Sequence, residues 1–136
     1  MADREGTFEV WAPRVLSILR IVAAFLFLFH GTAKLLHVPH QAQFDNVQLM
    51  SLIGIQGVIE LVGGGLLLIG LFSRPVAFIL SGDMAVAYFM AHAPKSFFPT
   101  LNGGQLAILF CFVFLYFVFA GAGPWSADAQ LPRSRQ

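Results

Sequence analysis

Hydrophobic residues form four long runs along this chain, and short polar segments separate them. The runs extend over about residues 13–36, 50–71, 75–91 and 103–120. Each is close to the roughly 20 residues that a helix needs to cross a 30 Å hydrocarbon core. No run alternates apolar and polar residues over the length that a membrane barrel strand needs. The pattern predicts an all-α, integral membrane four-helix bundle that forms a single membrane domain of residues 1–136.

The links between the runs favour close antiparallel packing. Residues 73–75 form a very short link, with Ser73 as an expected N-cap and Pro75 in the first turn of the next helix. So short a link makes the second and third helices antiparallel neighbours. The second run is also rich in glycine, which lets helix backbones approach closely in lipid. Its glycines are Gly54, Gly57, Gly63, Gly64, Gly65 and Gly70.

Composition supports a membrane protein and excludes a nucleic-acid binder. Hydrophobic residues make up 57% of the chain and charged residues 11%, against roughly 25% charged in an average soluble protein. A soluble domain of 136 residues could not bury that much apolar surface. The net charge of +1 includes no basic cluster. Cys111 is the only cysteine, so no intrachain disulfide is possible, and we expect it to be an apolar filler.

The basic residues predict the orientation of the bundle. If both termini share a side, six of the eight basic residues lie there and two lie on the other side. The excess of Lys and Arg marks the cytoplasmic side. We therefore expect both termini in the cytoplasm and a multi-pass protein in the bacterial inner membrane. The six are Arg4, Arg14, Arg20, Arg74, Arg133 and Arg135, and the two are Lys34 and Lys95.

Three of the runs each carry an ionisable residue well inside the expected membrane: Arg20, Glu60 and Asp83. A charge exposed to lipid costs from about 2.5 to above 10 kcal/mol, so such residues face protein or water and pair with something. A guanidinium offers forked donors to a carboxylate. We therefore expect Arg20 to pair with Glu60, with Asp83 or with both.

A second polar layer is expected near the extracytoplasmic ends of the helices. Lys34 follows His30 by one helical turn, so the two share a face. Lys34 alone could instead extend its ammonium to the membrane interface. No metal site is predicted, because His30 has only a lysine at i+4 and is more often a hydrogen-bonded structural histidine. The layer comprises His30, Lys34, His92, Asn102 and Gln105.

These buried polar residues allow three interpretations. The first is a structural ion pair that fixes the register of the helices. The second is a binding pocket for a small lipophilic molecule, in which some of the 15 phenylalanines could stack on a quinone ring. The third is a proton path. Periodicity alone does not separate them.

Four stretches of the chain carry motifs. Residues 19–35 contain an Arg, an apolar run and an HG-x-x-KL ending. The other stretches read GVIELVGG at 57–64, GLFSRP at 70–75, and NGGQ at 102–105 together with GAGPWSAD at 121–128. In this combination the chain resembles the DoxX family of small bacterial membrane proteins, over about residues 15–128.

The resemblance implies a four-helix membrane bundle. The family takes its name from a membrane subunit of a thiosulfate:quinone oxidoreductase, and related proteins are linked to membrane redox complexes or to membrane-protein assembly. One position departs from the family pattern: Gln105 stands where the family commonly has Glu. That change removes an acid from the extracytoplasmic layer and counts against a mechanism that needs a carboxylate there.

Two hypotheses of function follow. In the first, the protein is a quinone- or lipophilic-ligand-interacting subunit of a membrane redox complex. Arg20, Lys34 and Glu60 line its pocket, while His30 and Asp83 supply hydrogen bonds or protons. No intrinsic cofactor is expected, because haem and iron–sulfur ligand patterns are lacking, and a quinone is the candidate ligand.

In the second hypothesis, the protein is a non-catalytic structural or assembly subunit whose buried charges set the helix packing. Both hypotheses predict the lipid bilayer and other membrane-protein subunits, or further copies of this chain, as partners. Both leave open whether the protein is an enzyme.

Overall fold

The computed structural model describes residues 2–132, and this part of the chain is helical with no β-strand. The all-α prediction is therefore confirmed. The longer helices are α1 (Ala2–Leu35), α2 (Leu52–Ile69), α3 (Ser73–Ala87) and α5 (Gln105–Ala120). A π-helical turn, Tyr88–His92, continues α3, and the single turn α4 spans Pro99–Asn102. Short 3₁₀ turns lie at Ala42–Phe44 and Asp128–Gln130.

Two local expectations from the sequence are corrected. α1 begins at Ala2 rather than near residue 13, and Pro13 lies inside the helix. Hydrophobicity marks the part of a helix that meets lipid, whereas the polar residues before it are equally able to be helical. Ser73 is not the N-cap of α3, because Phe72 occupies that position with φ +52° and makes no side-chain cap.

The four longer helices alternate in direction. Leu28 of α1 lies opposite Gly64 of α2, and Leu35 opposite Gly57, so α1 and α2 are antiparallel. α3 and α5 are antiparallel as well, since Ser81 Oγ donates to the carbonyl of Cys111 at 2.7 Å while Arg74 reaches the carbonyl of Phe119 at 2.6 Å. The chain therefore runs up and down through the bundle.

Three helical segments are long and apolar enough to cross a membrane: residues 6–35, 52–69 and 73–92. α5 is apolar throughout but has 16 residues, which corresponds to about 24 Å at 1.5 Å per residue. The bundle has two ends of different construction. We call the end with residues 36–51 and 88–104 the loop end, and the end with residues 70–72 and 121–132 the terminal end. Arg133 and Arg135, counted above for orientation, lie outside the described residues.

The core lies between α1, α3 and α5 and is built largely from aromatic rings. The ring centroids of Phe27 and Phe114 are 4.9 Å apart in an edge-to-face arrangement, and Phe110 stacks on Phe114 at 5.4 Å. α1 meets α2 more closely, because a Cβ at Gly31 would come within 3.0 Å of the Gly57 carbonyl oxygen. This close approach brings the polar side chains of α1 and α2 together.

Candidate functional site

The structure divides the six sequence-predicted site residues among three places. His30, Lys34, Glu60 and Asp83 lie in the half of the bundle toward the loop end. Arg20 lies 14 positions before Lys34 on the same helix, about 21 Å away at 1.5 Å per residue, and belongs to the terminal end. Gln105 is exposed at the start of α5.

Lys34 is the cation that pairs with Glu60. Its Nζ donates to Glu60 Oε1, and the side chains are 11% and 0% exposed. The expectation that Arg20 pairs with Glu60 or Asp83 is therefore wrong, and so is the alternative that Lys34 reaches the interface alone. The pairing follows from packing: Gly31 and Gly57 bring α1 and α2 together one turn away from both residues.

Asp83 joins the Lys34–Glu60 pair from α3. Its carboxyl group interacts with the side chains of Gln56, Glu60 and Lys34, and Asp83 is 8% exposed. Two buried carboxyl oxygens, Glu60 Oε2 and Asp83 Oδ2, have no hydrogen-bond partner among the described residues. Three helices thus contribute to one cluster of a lysine, two acids and a glutamine, which we call the carboxyl cluster (Lys34, Gln56, Glu60, Asp83).

A cavity of about 460 Å³ opens at the loop end, beside the carboxyl cluster. Lys34 and Gln56 belong both to the cluster and to the cavity wall. Glu60 and Asp83 are not part of that wall, and neither is Arg20, so the first hypothesis placed too many of these residues in the pocket. The polar side chains of the wall are those of His30, Lys34, Gln41, Gln43, Gln56, His92 and Lys95, and the remainder is mostly apolar.

Two histidines, His30 of α1 and His92 after α3, line the cavity. The His30 ring packs against the rings of Phe27 and Phe110, with centroids 5.8 and 5.9 Å apart. His92 lies in the π-helical turn after α3, and its Nδ1 is 3.0 Å from the carbonyl oxygen of Asn102. π-helical turns often occur at functional sites, because the extra residue shifts the register of the side chains that follow.

The loop between α1 and α2 covers part of this cavity. Gln41, Gln43 and Phe44 line it from that loop, and the Phe44 ring centroid is 6.0 Å from Lys34 Nζ. Lys34 thus has an acid on one side and an aromatic ring in range on the other. An ammonium placed like this can interact with both a carboxylate and a π face.

Arg20 performs a different task at the terminal end. Arg20 is 1% exposed, and its guanidinium donates to the backbone carbonyl of Ala122, to that of Trp125 at 2.8 Å and to that of Leu68 at 3.4 Å. It thus connects α1 to the end of α2 and to the segment after α5. Carbonyl oxygens accept its hydrogen bonds, and the Asp128 carboxylate lies within electrostatic range of the guanidinium.

Sequence reasoning missed two residues that complete this arrangement, Ser17 and Asp128. Ser17 Oγ donates to the carbonyl of Ala122 at 3.2 Å and accepts from the backbone N–H of Trp125 at 3.1 Å. The Asp128 carboxylate accepts from the backbone N–H groups of Phe72 and Ser73, at 2.7 and 2.9 Å. Asp128 therefore caps α3 from the far end of the chain, in place of the cap expected from Ser73.

The signals for these two residues were present in the sequence but were local. Asp128 ends the GAGPWSAD motif, and Ser17 lies one turn before Arg20. Neither position reveals its partner, because the partners are backbone groups about 55 and 105 residues away. Within residues 2–132, no group of three or more His, Cys, Asp or Glu side chains is arranged to hold a metal ion.

Comparison with known proteins gives one family and one full-length relative. The profile of the DoxX family matches residues 15–93, which include most of α1 and all of α2 and α3. A Haemophilus influenzae protein described as uncharacterized is 48% identical over 127 residues, covering 90% of this chain and 95% of its own length. No solved structure matches the chain.

Proposed function

Since this chain belongs to the DoxX family of membrane proteins, we propose that it binds the head group of a quinone or a similar lipophilic molecule in the loop-end cavity. We place it in the bacterial inner membrane, with both termini in the cytoplasm, as a subunit of a membrane redox complex. The observation that carries this proposal is the loop-end cavity itself, with its apolar lining and few polar groups.

The dimensions and lining of the cavity support such a ligand. Its volume of about 460 Å³ falls within the roughly 300–1,000 Å³ of small-molecule sites, which are mostly apolar with a few polar groups that orient the ligand. Lys34, Gln56 and Lys95 offer N–H donors, and the carbonyl oxygens of a quinone accept hydrogen bonds. Met84, Ala87 and Leu106 supply apolar surface for the ring. A ring with two acceptor oxygens fits this combination.

The orientation rests on the same basic residues as above. Within the described part of the chain, the terminal end has four basic residues and the loop end has two: Arg4, Arg14, Arg20 and Arg74 against Lys34 and Lys95. The excess of basic residues predicts a cytoplasmic terminal end. The cavity would then open on the extracytoplasmic side.

A cavity-filling substitution tests the proposal directly. Ala87 lines the cavity, so Ala87→Phe is expected to reduce binding of a short-chain ubiquinone in lipid nanodiscs at least tenfold. Val86→Phe is the matched control, because Val86 is the preceding residue of α3 and is 46% exposed outside the cavity. Mass spectrometry of lipids that copurify with the wild-type protein supplies a second measurement. Equal ubiquinone binding by both variants, with no copurified quinone, contradicts the proposal.

The second candidate is the structural or assembly subunit, and Arg20 is the residue that favours it. The guanidinium holds backbone segments together and lies outside the loop-end cavity. This candidate predicts that Ala87→Phe leaves function in the cell intact. It also predicts that a defined membrane-protein partner copurifies equally with the wild-type protein and with this variant.

A further inference from the structure

We propose that Glu60 and Asp83 hold one exchangeable proton between them and take a second proton from the O–H group of a lipophilic phenol or hydroquinone in the loop-end cavity. Lys34 relays that second proton. This inference rests on the proposed function, because it needs a ligand in that cavity. It goes further by naming the class of ligand and what the buried acids do to it.

Charge balance in the carboxyl cluster is the first argument. Glu60 is fully buried and Asp83 is 8% exposed, and Lys34 is the cation that pairs with Glu60 and lies within electrostatic range of Asp83. With both acids ionised, one lysine would leave an uncompensated negative charge inside the bundle, which is strongly unfavourable in a low-dielectric interior. One proton shared by the two acids makes the cluster neutral.

The unpartnered oxygens are the second argument. Glu60 Oε2 and Asp83 Oδ2 are buried without a hydrogen-bond partner, and they belong to two carboxyl groups that interact with each other. Two ionised carboxylates only accept hydrogen bonds, so they cannot satisfy one another. A proton on either group turns it into a donor. A shared proton therefore gives each orphaned oxygen a partner.

The position of Lys34 connects the acids to the cavity. Its Nζ donates to Glu60 Oε1, and its side chain is also part of the cavity wall. Glu60 and Asp83 lie behind that wall and have no surface on the cavity. A ligand proton therefore reaches the acids through the ammonium of Lys34.

The cavity wall favours the anion that such a transfer leaves behind. Among the described residues, its ionisable side chains are Lys34, Lys95, His30 and His92, and none is acidic. His30 also lies within electrostatic range of Lys34 and His92. A wall of cations and hydrogen-bond donors stabilises an oxyanion and disfavours a cationic ligand. A weakly acidic hydroxyl group on an apolar ring meets both requirements.

The proton transfer balances without any redox partner. An N–H bond of Lys34 breaks first: its proton forms an O–H bond on Glu60, the electron pair stays on Nζ as the lone pair of an amine, and the shared proton stays on Asp83. The ligand O–H bond then breaks, leaves its electron pair on the ligand oxygen, and its proton forms a new N–H bond on Lys34. Lys34 stays an ammonium, the two acids then carry two protons, and the charge of +1 on the cluster faces the charge of −1 on the ligand. The site as a whole remains neutral.

The first experiment asks whether the shared proton exists. Infrared spectra of the full-length protein in nanodiscs should show a protonated carboxyl C=O band that shifts in D₂O. Asp83→Asn and Glu60→Gln should each abolish the band, because the remaining acid then pairs with Lys34 as a carboxylate. Lys34→Met should strengthen it, because both acids then need protons to be neutral.

Asp45→Asn is the control for this experiment, since Asp45 is an exposed acid in the loop, hydrogen-bonded to His40 at 2.7 Å. Its protonated carboxyl C=O band should match that of the wild-type protein. A wild-type protein without the band overturns the shared proton. So does a band that persists unchanged in both Asp83→Asn and Glu60→Gln.

The second experiment compares short-chain ubiquinol with the matching ubiquinone, of which only the reduced form has an O–H proton to give. The wild-type protein should bind ubiquinol at least tenfold more tightly than ubiquinone, and the double variant Glu60→Gln/Asp83→Asn, which removes both proton acceptors, should lose most of that preference. Equal binding of both forms by the wild-type protein and by this double variant overturns the proton transfer but does not contradict the proposed function. Binding of neither form overturns the proposed function and the transfer with it.

Discussion

Buried charged side chains have different hydrogen-bond partners at the two ends of this bundle. At the terminal end, backbone carbonyl groups accept from both Nη atoms of Arg20, whose Nε has no partner among the described residues, and backbone N–H groups donate to both carboxylate oxygens of Asp128. At the loop end, Glu60 and Asp83 each keep an orphaned oxygen beside a cavity of about 460 Å³. The terminal end has a smaller cavity of about 150 Å³. A satisfied charge stabilises a structure, whereas an unsatisfied one beside an open cavity is free to act on a ligand.

Intramembrane charges therefore do not form one class in this protein. Arg20 and Glu60 are both almost inaccessible to solvent, and each looks like a functional residue from its depth alone. Their hydrogen-bond partners distinguish them, since backbone carbonyl groups accept from Arg20 and an ionisable side chain donates to Glu60. The predictions below test this contrast, beginning with the largest effect.

Arg20→Met should destabilise the protein most. It removes two hydrogen bonds from a charged donor, to the carbonyls of Ala122 and Trp125, and each such bond contributes about 1.5–3 kcal/mol. We expect a loss of about 4 kcal/mol in the free energy of unfolding, measured by reversible unfolding in detergent, with quinone affinity per folded molecule unchanged. Arg74→Met is the matched control, because Arg74 also donates to two carbonyls but is exposed. An equal loss of unfolding free energy in both variants would contradict the proposed difference between a buried and an exposed arginine.

Breaking the buried pair at the loop end should cost somewhat less. Lys34→Met leaves Glu60 without its cation, and breaking a buried pair costs about 3–5 kcal/mol. We expect the low end, about 3 kcal/mol, because the two acids can take up protons. The double variant Lys34→Met/Glu60→Gln should recover part of this loss in a double-mutant cycle. Strict additivity of the two single substitutions would mean that the pair contributes no coupling.

Removing the cap of α3 should have a moderate effect. Asp128→Ala deletes the acceptor of two backbone N–H groups at 2.7 and 2.9 Å, and loss of a helix cap costs about 0.5–2 kcal/mol. We expect the free energy of unfolding to fall by about 1.5 kcal/mol in the same unfolding measurement.

Asp45→Ala is the loop-end control for this cap, since Asp45 pairs with His40 at an exposed site. It should change the stability by less than about 0.5 kcal/mol. A cost as large as that of Asp128→Ala would show that these acids do not differ by their partners.

The smallest effect is expected at Gln105. Gln105→Glu restores the acid that is common in the family, but the side chain is exposed and is not part of the cavity wall. Stability should stay within about 0.5 kcal/mol, and ubiquinone binding should be unchanged. Tighter ubiquinone binding by Gln105→Glu would show that the functional site extends beyond the loop-end cavity.

The sequence predicted the fold better than the pairing of its charges. The four apolar runs correspond to α1, α2, α3 and α5, since apolar length and glycine content act locally. The partners of Arg20 were predicted wrongly, because opposite charges suggested a carboxylate and backbone carbonyls carry no sequence signature. The loop-end cavity could not be predicted either, since it depends on how residues 36–51 and 88–104 fold over the ends of the helices.

The sequence by itself determined that this is a helical membrane protein, which residues are polar at membrane depth, and which family it belongs to. Hydrophobicity and helical period suffice for these conclusions, because both act along a single segment. Only the tertiary structure decided that Lys34 pairs with Glu60, that Arg20 donates hydrogen bonds to the segment after α5, and that a cavity lies beside the acids. Those results depend on which helices approach closely, and the approach of α1 to α2 at Gly31 brings Lys34 within reach of Glu60.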